Sequence, residues 1–281
     1  MIRLGLIGDN IRRSKSPLLH RLAGQLCGLN VSYEPLIPAE MGRDFDAVFD
    51  HCAQSGFRGV NVTYPYKEQV VARLAIPDPL TRGLGACNTV IFGPGQPVGH
   101  NTDRTGFTAA FRTGFGDAAP GRVAMAGAGG VGKAIAFGLA DLGAQELAIF
   151  DPDPSRARML VAALEQHAPS LPVRSARTLE EAIAGAEGLV NATPLGMYGV
   201  EGTAFPAPLP AAARWAFDAV YTPEETRFLS DARAHGLEIL SGYELVLHQG
   251  VQAFRHFTGG DVDAAALRAA LRGSQPKEAA V

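Results

Sequence analysis

Val123-Ala124-Met125-Ala126-Gly127-Ala128-Gly129-Gly130-Val131-Gly132 carries a short apolar run into a glycine cluster. Val123 to Ala126 predicts a strand, Gly132 to Leu142 a helix, and Glu146 to Phe150 a second strand. Gly127, Ala128, Gly129, Gly130, Val131 and Gly132 satisfy G-x-G-x-x-G, a weak pattern alone. Between a strand and a helix it gains weight, because bare backbone can approach a pyrophosphate while the helix start offers unpaired N–H groups. The alternative is a glycine-rich turn that binds nothing. About 20 residues further on, Asp151 ends the second strand, where a carboxylate can accept hydrogen bonds from ribose hydroxyls and repel a 2′-phosphate. Asp151 also reads as a strand-end turn with Pro152, and Arg156 stands close enough in sequence to soften its charge. The ribose logic favours NAD over NADP.

Outward from this unit, strand-like and helix-like runs alternate along the chain. Before it come Arg3 to Ile7, a helix over Pro17 to Leu26, then Ser32 to Ile37, helical Arg43 to Ser55 and strand Gly59 to Val62. After it come helical Pro154 to Gln166, a strand near Val173, helical Leu179 to Ala184, and strands Gly188 to Asn191 and Ala216 to Ala219. Helical patterns over Tyr243 to Phe257 and Val262 to Leu271 follow, and Ser274 to Val281 read as a frayed tail. The rhythm is that of an α/β protein with parallel sheets, and 281 residues, 47% of them hydrophobic, suit two domains better than one.

Three polar clusters precede the glycine fingerprint: Asn61-Val62-Thr63-Tyr64-Pro65-Tyr66-Lys67, Asn88-Thr89 and Asn101-Thr102-Asp103. Each reads as following a short strand, and together they suit a hydroxylated substrate held against a dinucleotide. Lys67 reads either as a solvated turn lysine or as an amine placed for proton transfer. Asp103 reads as an N-cap for a helix beginning near Gly106, a role compatible with a catalytic one. In Ser14-Lys15-Ser16-Pro17, Ser16 reads as an N-cap with Pro17 at the first helical position, and the two serines could equally hold a carboxylate.

A formal net charge of −3 leaves no broad basic surface, which argues against nucleic acid as a partner. No apolar run approaches the roughly 18 residues that span a bilayer, so no membrane association is expected, and the cytoplasm is the expected location. Cys27, Cys52 and Cys87 lack CxxC spacing and read as buried free thiols, and the seven histidines show no HExxH or HxxxH spacing, so no metal site is expected. The lone Trp215 reads as packing.

Taken together, these segments resemble the shikimate/quinate dehydrogenase family from Leu4 to about Gly259. The matching elements are Ser14 to Pro17, Asn61 to Lys67, Gly85 to Thr89, Asn101 to Asp103 with Gly106-Phe107, Gly127 to Gly132, Asn191 to Met197, Asp218 with Tyr221 and Pro223, and Gln249 with Ala253-Phe254. The resemblance implies an N-terminal α/β substrate domain over residues 1–103, a Rossmann NAD(P)-binding domain over 104–240, and C-terminal helices over 241–281 returning to the first domain. It implies Lys67 and Asp103 as the catalytic pair. Substrate-binding roles fall to Ser14, Ser16, Asn61, Thr63, Asn88, Tyr221 and Gln249. Cofactor-binding roles fall to Gly127 through Gly132, Asp151, Arg156, Asn191, Thr193, Pro194 and Met197. The implied partner is a small ring carboxylic acid, and the implied assembly a monomer or homodimer.

Several positions depart from the family pattern. Asp151-Pro152-Asp153-Pro154-Ser155-Arg156 replaces a basic turn of Asn-Arg-Thr type, and the two acids resemble the NAD-linked quinate/shikimate branch. Ser16 stands where some quinate-using members carry threonine, Ser241 replaces an aspartate before Gly242, and Leu245 stands at a usual methionine. The resemblance then implies NAD-dependent interconversion of shikimate, extending to quinate, with the 3-dehydro acid. An NADP-linked biosynthetic shikimate dehydrogenase and a non-catalytic ring-acid sensor of the same fold are the alternatives.

Overall fold

The computed structural model describes residues 1–274, and they form two compact units. The first comprises Met1–Thr81, Gly85–Thr102 and the chain from Leu247; the second comprises Arg82–Leu84 and Asp103–Val246. Residues 275–281 of the expected frayed tail lie outside the described residues. Ser274, its first residue, caps the last helix.

The first unit contains β1 (Ile2–Ile7), α1 (Ser16–Leu26), β2 (Val31–Leu36), α2 (Phe45–Gln54) and β3 (Gly59–Val62). Next come α3 (Pro79–Leu84), β4 (Thr89–Ile91) and β5 (Val98–His100). The sheet order is β2-β1-β3-β4-β5, with β1 parallel to both neighbours and β3-β4-β5 antiparallel. Alternation along the strands separates two apolar layers. Leu4 and Leu6 of β1 pack with Tyr33, Ile37, Ala253 and Phe257 on one face. Ile7, Val60 and Val62 pack with Phe45, Val48 and Phe49 on the other. Asn61, between Val60 and Val62, therefore points to the face that carries Tyr33.

The second unit contains α4 (Thr102–Phe115, from Asp103), β6 (Arg122–Ala126), α5 (Gly130–Asp141), β7 (Glu146–Phe150), α6 (Pro154–His167) and β8 (Val173–Ser175). It continues through α7 (Leu179–Ile183), β9 (Gly188–Asn191), β10 (Trp215–Asp218), α8 (Arg227–Ala234) and β11 (Glu238–Ser241). The strands run β11-β10-β9-β6-β7-β8, all parallel, which is the doubly wound order whose ligand crevice opens between the first and fourth strands. Gly127 follows β6 and Asn191 ends β9, so both stand at that switch point. Behind them Phe107 and Phe111 of α4 pack edge-on against Phe217 and Trp215, and the Trp215 indole donates to Pro120 O at 3.0 Å. The last helices are α9 (Gly242–Thr258) and α10 (Ala264–Gly273), and the chain from Leu247 belongs to the first unit.

Several local expectations change. Asn88-Thr89 opens β4 instead of following a strand, because residues 89–100 fold back as an antiparallel pair. α4 begins at Thr102, so Asp103 sits inside its first turn and is not the N-cap. The cap comes from a distant residue, since Asn88 Oδ1 accepts the Thr102 N–H at 2.8 Å. Ser16 is likewise the first residue of α1; Lys15 precedes it without a side-chain cap, and Ser14 Oγ accepts the Ser16 N–H at 3.2 Å. Cys52 and Cys87 are buried and burial pushes both thiols up to about 12, whereas Cys27 is half-buried. The helices α3 and α8, absent from the periodicity reading, are short; Thr226 caps α8 by accepting from Leu229 N–H.

Candidate active site

In the first unit a buried hydrogen-bond network gathers the polar clusters. Tyr33 donates its phenolic proton to Asn61 Oδ1 at 2.8 Å, and Asn61 Nδ2 donates to Asn88 O and to Thr89 Oγ1, each at 3.0 Å. Asn88 Oδ1 accepts from Thr89 Oγ1 and from the Thr102 N–H, while Asn88 Nδ2 reaches Thr102 Oγ1 at 3.0 Å and Gln249 Oε1 at 3.5 Å. Asn61, Asn88, Thr89 and Thr102 are all buried. So many amides and hydroxyls are tolerated in the interior because they satisfy one another. Asn61 spends both amide hydrogens on neighbours, which leaves an Oδ1 lone pair as its only spare capacity.

The serines and Lys67 stand on two adjoining loops. Ser14 and Ser16 Oγ lie 3.2 Å apart, both half-buried. The loop carrying Thr63 and Lys67 is pinned at several points: Thr63 N–H donates to Ile7 O, Asp9 N–H to Tyr64 O, Cys87 N–H to Lys67 O, and Tyr66 OH to Asp9 Oδ1 at 2.7 Å. Burial, together with the Asp9 carboxylate, raises the Tyr66 phenol to about 12. It therefore stays a proton donor to Asp9 and ties the lysine loop to the loop that leads to the serines.

In the second unit the fingerprint fits a dinucleotide. Gly127 has φ +100°, and a Cβ there would lie 2.7 Å from Ala192 O; a Cβ on Gly132 would overlap Gly127 O. Gly129, by contrast, would point a Cβ into open space, which is the opening a pyrophosphate needs at the start of α5. Asp151 Oδ2 accepts the Ala128 N–H at 2.8 Å and Oδ1 accepts the Asp153 N–H at 2.9 Å, so this carboxylate braces the glycine loop from the end of β7. Asp153 caps α6 through Ser155, whose hydroxyl and N–H hold its carboxyl below the usual range, and Arg156 lies 3.8 Å from it.

Asn191 is fully buried. Its amide donates to Leu195 O and to Asp218 Oδ1, and its carbonyl accepts from Thr193 N–H and hydroxyl. Asn191 and Thr193 thus shape the loop on which exposed Pro194 and half-buried Met197 ride. Asp218 accepts from Asn191, Val220 N–H and Thr226, yet burial outweighs these bonds and raises its carboxyl to about 6. Tyr221 is half-buried on the following turn, and Asp103 is buried in the first turn of α4. Among the described residues no cluster of histidine, cysteine and carboxylate side chains is arranged to hold a metal ion, and no helix is long and apolar enough to cross a membrane.

The sequence motifs did not single out Tyr33, Thr89 or Thr102 as site residues. For the threonines a signal existed, since each directly follows an asparagine of the site. For Tyr33 none did, because it is 28 residues from Asn61 in sequence.

The model of the shikimate dehydrogenase substrate binding domain matches residues 6–90. A quinate/shikimate dehydrogenase (NAD(+)) of Corynebacterium efficiens is 41% identical over 274 residues, covering 95% of this chain and 96% of the relative. The chain belongs to the shikimate dehydrogenase family. A shikimate dehydrogenase (NADP(+)) of Streptomyces avermitilis is 40% identical over 265 residues, covering 92% of this family member and 91% of the relative, so overall identity does not separate the cofactor types. The solved quinate dehydrogenase from Corynebacterium glutamicum in complex with NAD superposes with a TM-score of 0.88 at 37% identity, covering 97% of this chain and 99% of that one.

Proposed function

We propose that this protein is an NAD-dependent dehydrogenase that interconverts shikimate, and by extension quinate, with the 3-dehydro acid. The observation that carries the reading is the amide and hydroxyl network ending at Asn88, Thr102 and Gln249, of which Asn61, Asn88 and Thr89 lie in the segment that matches the shikimate dehydrogenase substrate binding domain. Such a network suits a ring bearing several hydroxyls, because it presents amide donors and acceptors in fixed directions.

In this reading the first unit holds the acid and the second the dinucleotide. Ser14 and Ser16 donate to the carboxylate, while Thr63, Asn88, Tyr221 and Gln249 hold the ring hydroxyls, with Asn61 acting mainly through Asn88. A bound nicotinamide supplies the acceptor for the hydride that leaves the ring carbon. The carbon can release that hydride only as its hydroxyl loses a proton, and the amine of Lys67 takes it, returning it in the reverse direction. Asp103 orients the amine and the hydroxyl. Asp151 takes the adenosine ribose hydroxyls on its remaining lone pairs, and its charge disfavours a 2′-phosphate. Arg156 is the one basic group on this turn that would favour NADP, and the Asp153 carboxylate beside it opposes that role.

Replacing Lys67 by Ala tests the reading. Shikimate-dependent reduction of NAD should fall by roughly two to four orders of magnitude, while shikimate still protects the variant against thermal unfolding. A variant with near wild-type turnover removes Lys67 from the chemistry.

A further inference from the structure

Asn61 occupies a central strand, 6% exposed, where an unsatisfied amide is costly. Two backbone groups set the polarity of the network around it. The Asn88 carbonyl has no proton, so Asn61 must turn Nδ2 toward it and Oδ1 away. The Thr102 N–H has no lone pair to offer, so Asn88 must turn Oδ1 toward it and Nδ2 toward the Thr102 hydroxyl at 3.0 Å and Gln249 Oε1 at 3.5 Å. Thr89 links the two amides by accepting from Asn61 and donating to Asn88. The network then needs one donor at its inner end, facing Asn61 Oδ1, and the Tyr33 phenol at 2.8 Å is that donor.

Tyr33 is well placed to hold this position. On β2 it pairs with Leu4, and Asn61 on β3 pairs with Leu6, so phenol and amide share a sheet face on either side of β1. His20 of α1 lies flat against the phenol, with ring centroids 4.7 Å apart and planes 6° from parallel, and meets Phe257 of α9 edge-on at 5.6 Å. Neither His20 nitrogen makes a well-formed hydrogen bond, although Asn61 lies close enough to act on it. Full burial lowers the imidazole to about 3, an effect that Asn61 only partly offsets, so the ring is a neutral platform at working pH.

We propose that Tyr33, seated on His20, is a positioning residue of the acid site: through Asn61 and Thr89 it holds Asn88 so that Nδ2, with one hydrogen kept on Thr102 Oγ1 at 3.0 Å, turns the other from its long 3.5 Å contact with Gln249 to a ring hydroxyl oxygen. The inference rests on the dehydrogenase reading and deepens it.

A double-mutant cycle of Tyr33→Phe and Asn61→Ala, read as KM and kcat for shikimate with NAD, tests the inference. Tyr33→Phe should raise the KM for shikimate by about tenfold, the effect of one buried hydrogen bond, with kcat changed by less than about threefold and the KM for NAD unchanged. In the Asn61→Ala background the same change should have less than about a twofold effect, because Tyr33 acts through Asn61. An unchanged KM in Tyr33→Phe, or factors that simply multiply, overturns the proposal; a merely structural tyrosine would lower the melting temperature and leave the KM alone. Should Asn61→Ala fail to fold, Thr89→Val breaks the network one link later and takes its place. Shikimate protection against thermal unfolding, measured on the same proteins, needs no turnover. A wild type that is protected but does not reduce NAD sinks the dehydrogenase reading, and the smaller or equal protection of Tyr33→Phe still decides the role of Tyr33. A wild type that shikimate does not protect and that turns over no acid overturns both.

Discussion

In the first unit the candidate acid site consists of side chains bonded to one another: Asn61, Asn88, Thr89, Thr102 and Gln249. In the second unit the candidate pyrophosphate site is backbone from which side chains are missing, at Gly127, Gly129 and Gly132. The first recognises by presenting donors and acceptors in fixed directions, so it is sensitive to the loss of single polar atoms. The second recognises by leaving room and exposing N–H groups, so it is sensitive to the gain of single carbon atoms. Asp151 combines the two modes, since one carboxylate both braces the bare loop at Ala128 and stands where a ribose would lie.

The sharpest way to break this comparison is to add a methyl group to the second unit. Gly127→Ala places a Cβ 2.7 Å from Ala192 O on backbone at φ +100°, a conformation costly for any residue but glycine. We expect a loss of about 2–4 kcal/mol in unfolding free energy and a raised KM for NAD, with shikimate protection retained. Wild-type NAD affinity and melting temperature in this variant would mean that the loop tolerates a side chain.

The two units should also respond oppositely to acid. Asp218 in the second unit has a folded pKa of about 6, above its unfolded value, so the folded state binds the extra proton between roughly pH 4 and 6 and stability falls as pH rises through that window. His20 in the first unit has a folded pKa of about 3, below its unfolded value, so the unfolded chain binds the extra proton and stability falls as pH drops from about 6.5 toward 3. Each effect amounts to a few kcal/mol at most. Thermal unfolding between pH 4 and 6 should therefore show a steeper rise of stability with pH in Asp218→Asn than in the wild type, and a shallower one in His20→Phe. Identical slopes in all three would remove both assignments.

The smallest expected effect concerns cofactor choice. Asp151→Ser should lower the ratio of kcat/KM for NAD over NADP by about tenfold, roughly the worth of one charge-assisted hydrogen bond. A ratio left unchanged would move the choice to Asp153 or elsewhere on the turn.

How much of this was legible in the sequence differs between the units for the same physical reason. The nucleotide unit is built from local signals: strand, glycine turn, helix and strand-end acid lie within some 30 residues, and the strands Glu146–Phe150 and Gly188–Asn191 stand where periodicity places them. The acid site depends on contacts between distant segments. Asn88 caps α4 across 14 residues and Gln249 reaches it across 161, so no local pattern could show that Asp103 lies inside a helix already capped by Asn88. Ser16 illustrates the same limit on a smaller scale, because the Ser-Pro pattern predicts a cap at Ser16 whereas Ser14 supplies the acceptor two residues earlier. Tyr33 became visible only through sheet register.

The most direct test of the whole account is reduced-nicotinamide formation by the wild-type protein with shikimate and with quinate, each offered NAD and NADP under one set of conditions. The account predicts turnover with at least one of the acids and NAD, and a kcat/KM for NAD at least about tenfold above that for NADP. Turnover favouring NADP, or none with NAD and either acid, would contradict it.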